Sequence, residues 1–198
     1  MKTRIFILCF WFLLSGYCTK AQNYYNPAFS FNIISEIPLK TLKGQKTYIM
    51  KNDASLFLFV FLSPECPLCK NYSPILSKLS EEYEGQLKVY GMVPGLAYTG
   101  SDIAQFSKEY QIVFPILIDV KKEFSNYIKA TVTPEVVLLD KTGEIVYRGA
   151  IDDWVQELGK KKLRAQENYL ENAIKQYLNG TPVLVKKTTP KGCLINEY

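Results

Sequence analysis

Apolar residues along the chain fall into runs, alternations and helical stripes. The densest run is Leu56-Phe57-Leu58-Phe59-Val60-Phe61-Leu62. It is too short to cross a membrane and suits a strand buried on both faces, as in a parallel sheet. Ser63-Pro64-Glu65 ends it. Leu68, Tyr72, Ile75, Leu76, Leu79 and Tyr83 then recur at three- and four-residue steps, the period of a helix beginning at Pro67 and stopped by Gly85. Leu87 to Val93 reads as the next strand, Asp102 to Tyr110 as a helix, Phe114 to Ile118 as a short strand and Lys121 to Lys129 as a short helix. Val136 to Leu139 and Ile145 to Tyr147 form a hairpin through Asp140-Lys141-Thr142-Gly143-Glu144. Upstream, Phe31 to Ile37 and Lys46 to Met50 pair as a hairpin around Lys43-Gly44-Gln45. Downstream, Val155, Leu158, Leu163, Tyr169, Ile174 and Leu178 trace one long amphipathic helix ending at Asn179-Gly180, kinked or divided at Gly159. Alternating strands and helices predict an α/β fold with helices on both faces of a central sheet, followed by this C-terminal amphipathic helix and a tail.

The handover from the apolar strand to its helix carries Cys66-Pro67-Leu68-Cys69-Lys70. Cys66 sits at the helix mouth, where unpaired N–H groups and the helix dipole favour a thiolate. Cys69 lies one turn further, close enough to form a disulfide with Cys66 and pass two electrons through a mixed disulfide. A zinc knuckle needs four ligands, and the chain has a single Cys-x-x-Cys and no histidine. A purely structural bridge in so short a loop would add little stability. The redox reading stands first.

The N-terminus changes the context of those thiols. Lys2 and Arg4 precede the apolar run Ile5 to Leu14, and Thr19-Lys20-Ala21 supplies small residues before a cut, so residues 1–21 read as a secretory signal peptide with Gln22 as the mature start. Cys18 offers lipid anchorage as a minority alternative, with Tyr17 where lipoprotein signals place a small residue. Membrane attachment is expected only through Cys18. Export to the periplasm or beyond lets disulfides persist. Losing Lys2, Arg4 and Lys20 leaves 21 basic residues against 19 acidic, too balanced to imply nucleic-acid binding. Of five cysteines, Cys66, Cys69 and Cys193 remain. Residues 22–180 are expected to form one domain, and the polar tail, residues 181–198, to lack long regular structure.

Cys66-Pro67-Leu68-Cys69-Lys70 with Pro74 five residues on, and Thr133-Pro134 ahead of Val136 to Leu139, resemble the thioredoxin superfamily. Val93-Pro94-Gly95 and Ala130-Thr131-Val132-Thr133-Pro134-Glu135 are similar to its redoxin branch, which covers alkyl hydroperoxide reductase and thiol-specific antioxidant relatives and exported thiol-disulfide reductases. The resemblance spans about Ile33 to Ile151. It implies a thioredoxin-like fold, a catalytic Cys66–Cys69 pair with no cofactor beyond that redox-active disulfide, and a cis Pro134 that shapes a substrate groove with Thr133. It also implies disulfide-bearing protein substrates and a redox partner that donates or accepts electrons. The chain departs from many thioredoxins at Val60, where they carry a buried aspartate as proton acceptor. Glu65, Lys70 and Glu135 are the charges near enough in sequence to tune the thiols.

Two other readings compete. A peroxiredoxin would place a hydroxyl three residues before the cysteine, as Ser63 is, but Phe59 replaces that family's proline and Arg148 is poorly placed to be its arginine. A non-catalytic binding module would use the pair structurally. Tyr98 and Thr99 read as ordinary loop residues. Cys193, in Lys191-Gly192-Cys193-Leu194-Ile195, is an accessory thiol, either resolving, intermolecular or merely packed. The preferred expectation is a packed thiol dispensable for turnover, in a tail docked by Leu194 and Ile195.

Overall fold

The computed structural model describes residues 29–51 and 53–195. The expected signal peptide, its cut before Gln22 and Cys18 lie outside the described residues. In order the chain forms α1 (Phe31–Glu36), β1 (Leu39–Lys40), β2 (Lys46–Thr47), β3 (Leu56–Phe61), α2 (Pro67–Glu82), β4 (Leu87–Pro94), α3 (Gly100–Glu109) and β5 (Ile116–Asp119). There follow α4 (Glu123–Ile128), β6 (Val132–Thr133), β7 (Glu135–Asp140), β8 (Ile145–Gly149), β9 (Val155–Glu157), β10 (Lys160–Lys161), α5 (Tyr169–Leu178) and β11 (Cys193–Leu194).

The main sheet has the order β2-β1-β5-β4-β3-β7-β8. It is mixed: β3, β4 and β5 run parallel, while β7 is antiparallel to β3 and to β8. The uninterrupted apolar run of β3 is explained by its central place, since every residue in it is buried. Leu56, Leu58 and Val60 face α2, α3 and α5; Phe57, Phe59 and Phe61 face α1 and α4. Each such side chain contributes roughly 1.5–3 kcal/mol relative to exposure. This is the expected thioredoxin-like arrangement, with helices on both faces of the sheet. Among the described residues no helix is long and apolar enough to cross a membrane.

Three local expectations are corrected. Phe31 to Ile37 is not a strand: Phe31, Ile34 and Ile37 are buried at a three-residue step while Ile33 is exposed, so the segment is α1, ended at Pro38. The hairpin around Gly44 exists, but it joins β1 to β2. The long C-terminal helix is also replaced. β9 and β10 form a hairpin turning at Gly159, and only Tyr169–Leu178 is helical. The reason lies in Leu158 and Leu163, both exposed, so the helical stripe they seemed to extend covers no core. Asp153 instead holds the returning chain through the N–H groups of Gln166 and Glu167. Finally, the tail has no long regular element among the described residues, but its docking differs from expectation. β11 pairs antiparallel with β6, Leu194 is exposed rather than docked, and Ile195 packs against the face lined by α1 and α4.

Candidate active site

β3 delivers the chain to the C-terminal end of the parallel strands, where the Leu62 N–H donates to Met92 O at 2.8 Å and a turn closes through Cys66 N–H to Ser63 O at 3.1 Å. Cys66 is the N-cap of α2 with an extended backbone, and Pro67 fills the first helical position, where a missing N–H leaves nothing unpaired. Cys69 follows on the inner face of the first turn, fully buried, its sulfur receiving the Ser63 N–H at 3.4 Å. Pro74 lies inside the same helix. Opposite stands the short β6. The Thr133-Pro134 bond is cis, and the Thr133 carbonyl oxygen lies 3.1 Å from the Cys66 sulfur. The Cys193 sulfur lies 3.0 Å from that of Cys66.

These neighbours separate the three thiols. A hydrogen bond from the Cys69 thiol, and a lesser one from Cys193, outweigh burial and bring Cys66 down to about 4. The N–H groups of Cys69 and Cys193 act in the same direction. Burial pushes Cys69 well above its ordinary range, and the adjoining Cys66 thiolate adds to that by hydrogen bond and charge. Cys193, exposed at the residue level but partly desolvated at its sulfur, is pushed up to about 11 by that desolvation, then by its bond to and the charge of Cys66. The arrangement holds one thiolate between two protonated thiols at neutral pH, so a nucleophile and two proton-bearing neighbours already coexist. Cys66 is nevertheless only 2% exposed, because the tail strand β11, with the Cys193 sulfur, lies against it.

Two of the three charged residues singled out from sequence, Lys70 and Glu135, are engaged away from the sulfurs. Lys70 lies over the Tyr110 ring at 5.8 Å. Glu135 is buried, with one carboxylate oxygen on Arg148 at 2.9 Å and the other receiving Thr131 N–H at 2.8 Å. That clamp fixes the chain on both sides of Thr133-Pro134 and keeps both Glu135 and Arg148 engaged. Glu65 stays at the site, accepting from the Tyr98 hydroxyl at 3.3 Å. Tyr98, read from sequence as a plain loop residue, joins the site: its hydroxyl is also 2.9 Å from that of Ser63. The available signal was its place beyond a parallel strand's C-terminal end, where such sheets collect ligand loops. Thr99 caps α3 with Asp102.

A cleft of about 420 Å³ is lined by Ser63, Glu65, Cys66, Tyr98, Thr133 and Cys193, among others. Pro134 does not line it; it is buried beneath the tail, where a Cβ on Gly192 would stand 3.1 Å from the Pro134 nitrogen. A larger cleft, about 640 Å³, lies at the other end of the sheet by Ser80, Glu84 and Lys88, and no cysteine lines it.

A strand-to-helix dithiol facing a cis-proline strand agrees with a match of residues 20–161 to the Redoxin family model. The chain belongs to the Redoxin family. This Redoxin protein is 29% identical over 111 residues to thioredoxin-like protein YneN of Bacillus subtilis (strain 168), covering 56% of this chain and 65% of that one, just under two thirds of the relative. A hypothetical protein of Sinorhizobium meliloti 1021 superposes with a TM-score of 0.70 at 26% identity, over 80% of this chain and 88% of the other. An uncharacterized conserved protein of Geobacillus kaustophilus gives 0.71 at 23% identity, over 82% and 88%. A secreted disulfide oxidoreductase of Mycobacterium tuberculosis shares the fold at a TM-score of 0.51 and 18% identity, over 58% and 83%.

Proposed function

We propose that this Redoxin protein is an exported thiol-disulfide oxidoreductase. Cys66 attacks a disulfide of a protein substrate, forms a mixed disulfide and releases the substrate's other sulfur. Cys69 then attacks the Cys66 sulfur, which frees the substrate and leaves Cys66–Cys69 oxidised; a redox partner resets the pair. The observation that supports this most is the split between the two thiols, Cys66 brought down to about 4 by hydrogen bonds and Cys69 pushed well above its ordinary range by burial, on one helical turn that faces the cis Thr133-Pro134 strand. Thr133 and Pro134 would form the floor of the substrate groove once the tail is displaced. On this reading residues 1–21 direct export to the periplasm or beyond, and residues 22–180 form the working domain.

Insulin reduction driven by dithiothreitol tests it. The mature protein should precipitate insulin well ahead of dithiothreitol alone, and Cys66→Ser should fall to the reagent background. Equal rates for the two proteins would refute the reading. Rapid peroxide consumption without insulin reduction would favour a thiol peroxidase.

A further inference from the structure

The tail that carries Cys193 lies outside residues 20–161, the span matched by the family model, yet it is seated on the site at several points. The Arg148 N–H donates to Lys186 O, and the Thr188 N–H donates to Arg148 O, both at 3.0 Å. The Thr188 hydroxyl receives the Ala150 N–H at 2.9 Å. Two glycines permit the approach. Gly149 has φ +135°, and a Cβ there would stand 2.3 Å from the Thr188 carbonyl; a Cβ on Gly192 would stand 2.1 Å from that of Thr133. Cys193 is then registered against Thr133 and Leu194 against Val132, and the Ile195 N–H donates to Thr131 O at 3.0 Å. The sulfur so positioned is 3.0 Å from Cys66 across 127 residues of chain.

We propose that Cys193 is a third redox thiol, which forms a disulfide with Cys66 in alternation with Cys69 and bonds the tail over the site. This rests on the reading of Cys66 as the redox nucleophile. The exchange balances internally: the Cys193 thiolate attacks the Cys66 sulfur of the Cys66–Cys69 disulfide, the Cys66–Cys193 bond forms, and Cys69 leaves as a thiolate that takes up the proton Cys193 lost. The reverse attack by Cys69 reopens the tail. A disulfide is about 2.05 Å long, so thiols already 3.0 Å apart need close only a little further. Closing so long a loop would be opposed by chain entropy were the tail free, but strand pairing has already confined it. Two of the three influences that hold the Cys193 proton, the hydrogen bond and the charge of Cys66, vanish once Cys66 enters a disulfide. Cys193 therefore gains nucleophilicity when its target is oxidised.

Full-length mature Cys69→Ser, reduced and then treated with oxidised glutathione, isolates the step. Cys66 attacks glutathione disulfide and releases one glutathione thiolate; Cys193 attacks the Cys66 sulfur and releases the second. Two protein thiols are thereby oxidised and two glutathiones reduced. Mass spectrometry without reductant should find loss of two hydrogens, no retained glutathione, and peptide 52–70 joined to peptide 192–198 after trypsin. A stable glutathione adduct on Cys66 with Cys193 still alkylatable would overturn the proposal while leaving the proposed function intact. Absence of both the adduct and the link would sink both. Wild-type protein, which needs no substitution to fold, should yield both the Cys66–Cys193 link and the Cys66–Cys69 bond; Cys66–Cys69 alone overturns the alternation. Cys69→Ser combined with Gly192→Ala should retain glutathione on Cys66, because the added Cβ lifts β11, and undiminished linkage would contradict the role given to tail docking.

Discussion

Cys66, Cys69 and Cys193 share one negative charge, and hydrogen bonding assigns it to Cys66. The helix mouth contributes through the N–H of Cys69, but the larger influence is the Cys69 thiol itself. Cys69 in turn is kept protonated by burial and by the thiolate it serves. Neither Lys70 nor Glu135 sits against the sulfurs; one lies over an aromatic ring and the other is clamped by Arg148 and Thr131. Of the two glycines that admit the tail, Gly192 is the one next to the third thiol, and its missing Cβ leaves room for the Thr133 carbonyl. Gly192→Ala should leave the sheet folded while loosening β11. Hydrogen exchange at the Ile195 amide, which is bonded to Thr131 O, should accelerate about tenfold or more, since each tenfold corresponds to ~1.4 kcal/mol of local opening. An unchanged exchange rate would mean that the strand does not need the glycine.

Elements differ in how well their patterns report their environment. β3 is apolar throughout because both of its faces are covered, and that was legible from seven consecutive apolar residues. α2 was legible from period, proline and Cys-x-x-Cys together. Leu158 and Leu163 show the failure: they continue a helical spacing, but both point to solvent and the chain there turns as β9 and β10. Periodicity counts apolar residues, whereas burial is decided by what packs against them. Leu163→Ser should therefore change stability by no more than about 0.5 kcal/mol, whereas Phe59→Ala, at a fully buried position against the rings of Tyr90 and Phe124, should cost about 3–5 kcal/mol. Comparable losses in chemical denaturation would refute the placement of residues 155–163. β11 was illegible for another reason. Two residues of strand in a polar tail carry no periodic signal, and their partner, β6, is equally short and distant in sequence.

For the molecule as a whole, the topology brings four separate stretches to one end of the sheet: the turn after β3, the loop after β4, the strand before cis Pro134 and the tail. The first and third were readable from motifs. Cys193 was named from sequence as an accessory thiol, but neither its place against Cys66 nor that of Tyr98 against Ser63 was legible, because these contacts span 127 and 35 residues and only folding brings them together. Burial and charge make opposing forecasts for reactivity, which gives a direct test of the central claim that Cys66 is the site's thiolate. Cys66 is 2% exposed while Cys193 is exposed, so access alone favours Cys193. The thiolate is the reactive form; Cys66 is lowered to about 4 and Cys193 raised to about 11, so charge favours Cys66. The measurement is the rate of iodoacetamide labelling of each cysteine in the fully reduced protein between pH 5 and pH 9, resolved by peptide mass spectrometry. The predicted result is that Cys66 is labelled first at neutral pH, at a rate nearly flat above pH 6, while Cys193 lags and climbs with pH and Cys69 is slowest. Labelling of Cys193 or Cys69 ahead of Cys66 at pH 7, or a Cys66 rate still rising steeply from pH 6 to pH 8, would contradict it.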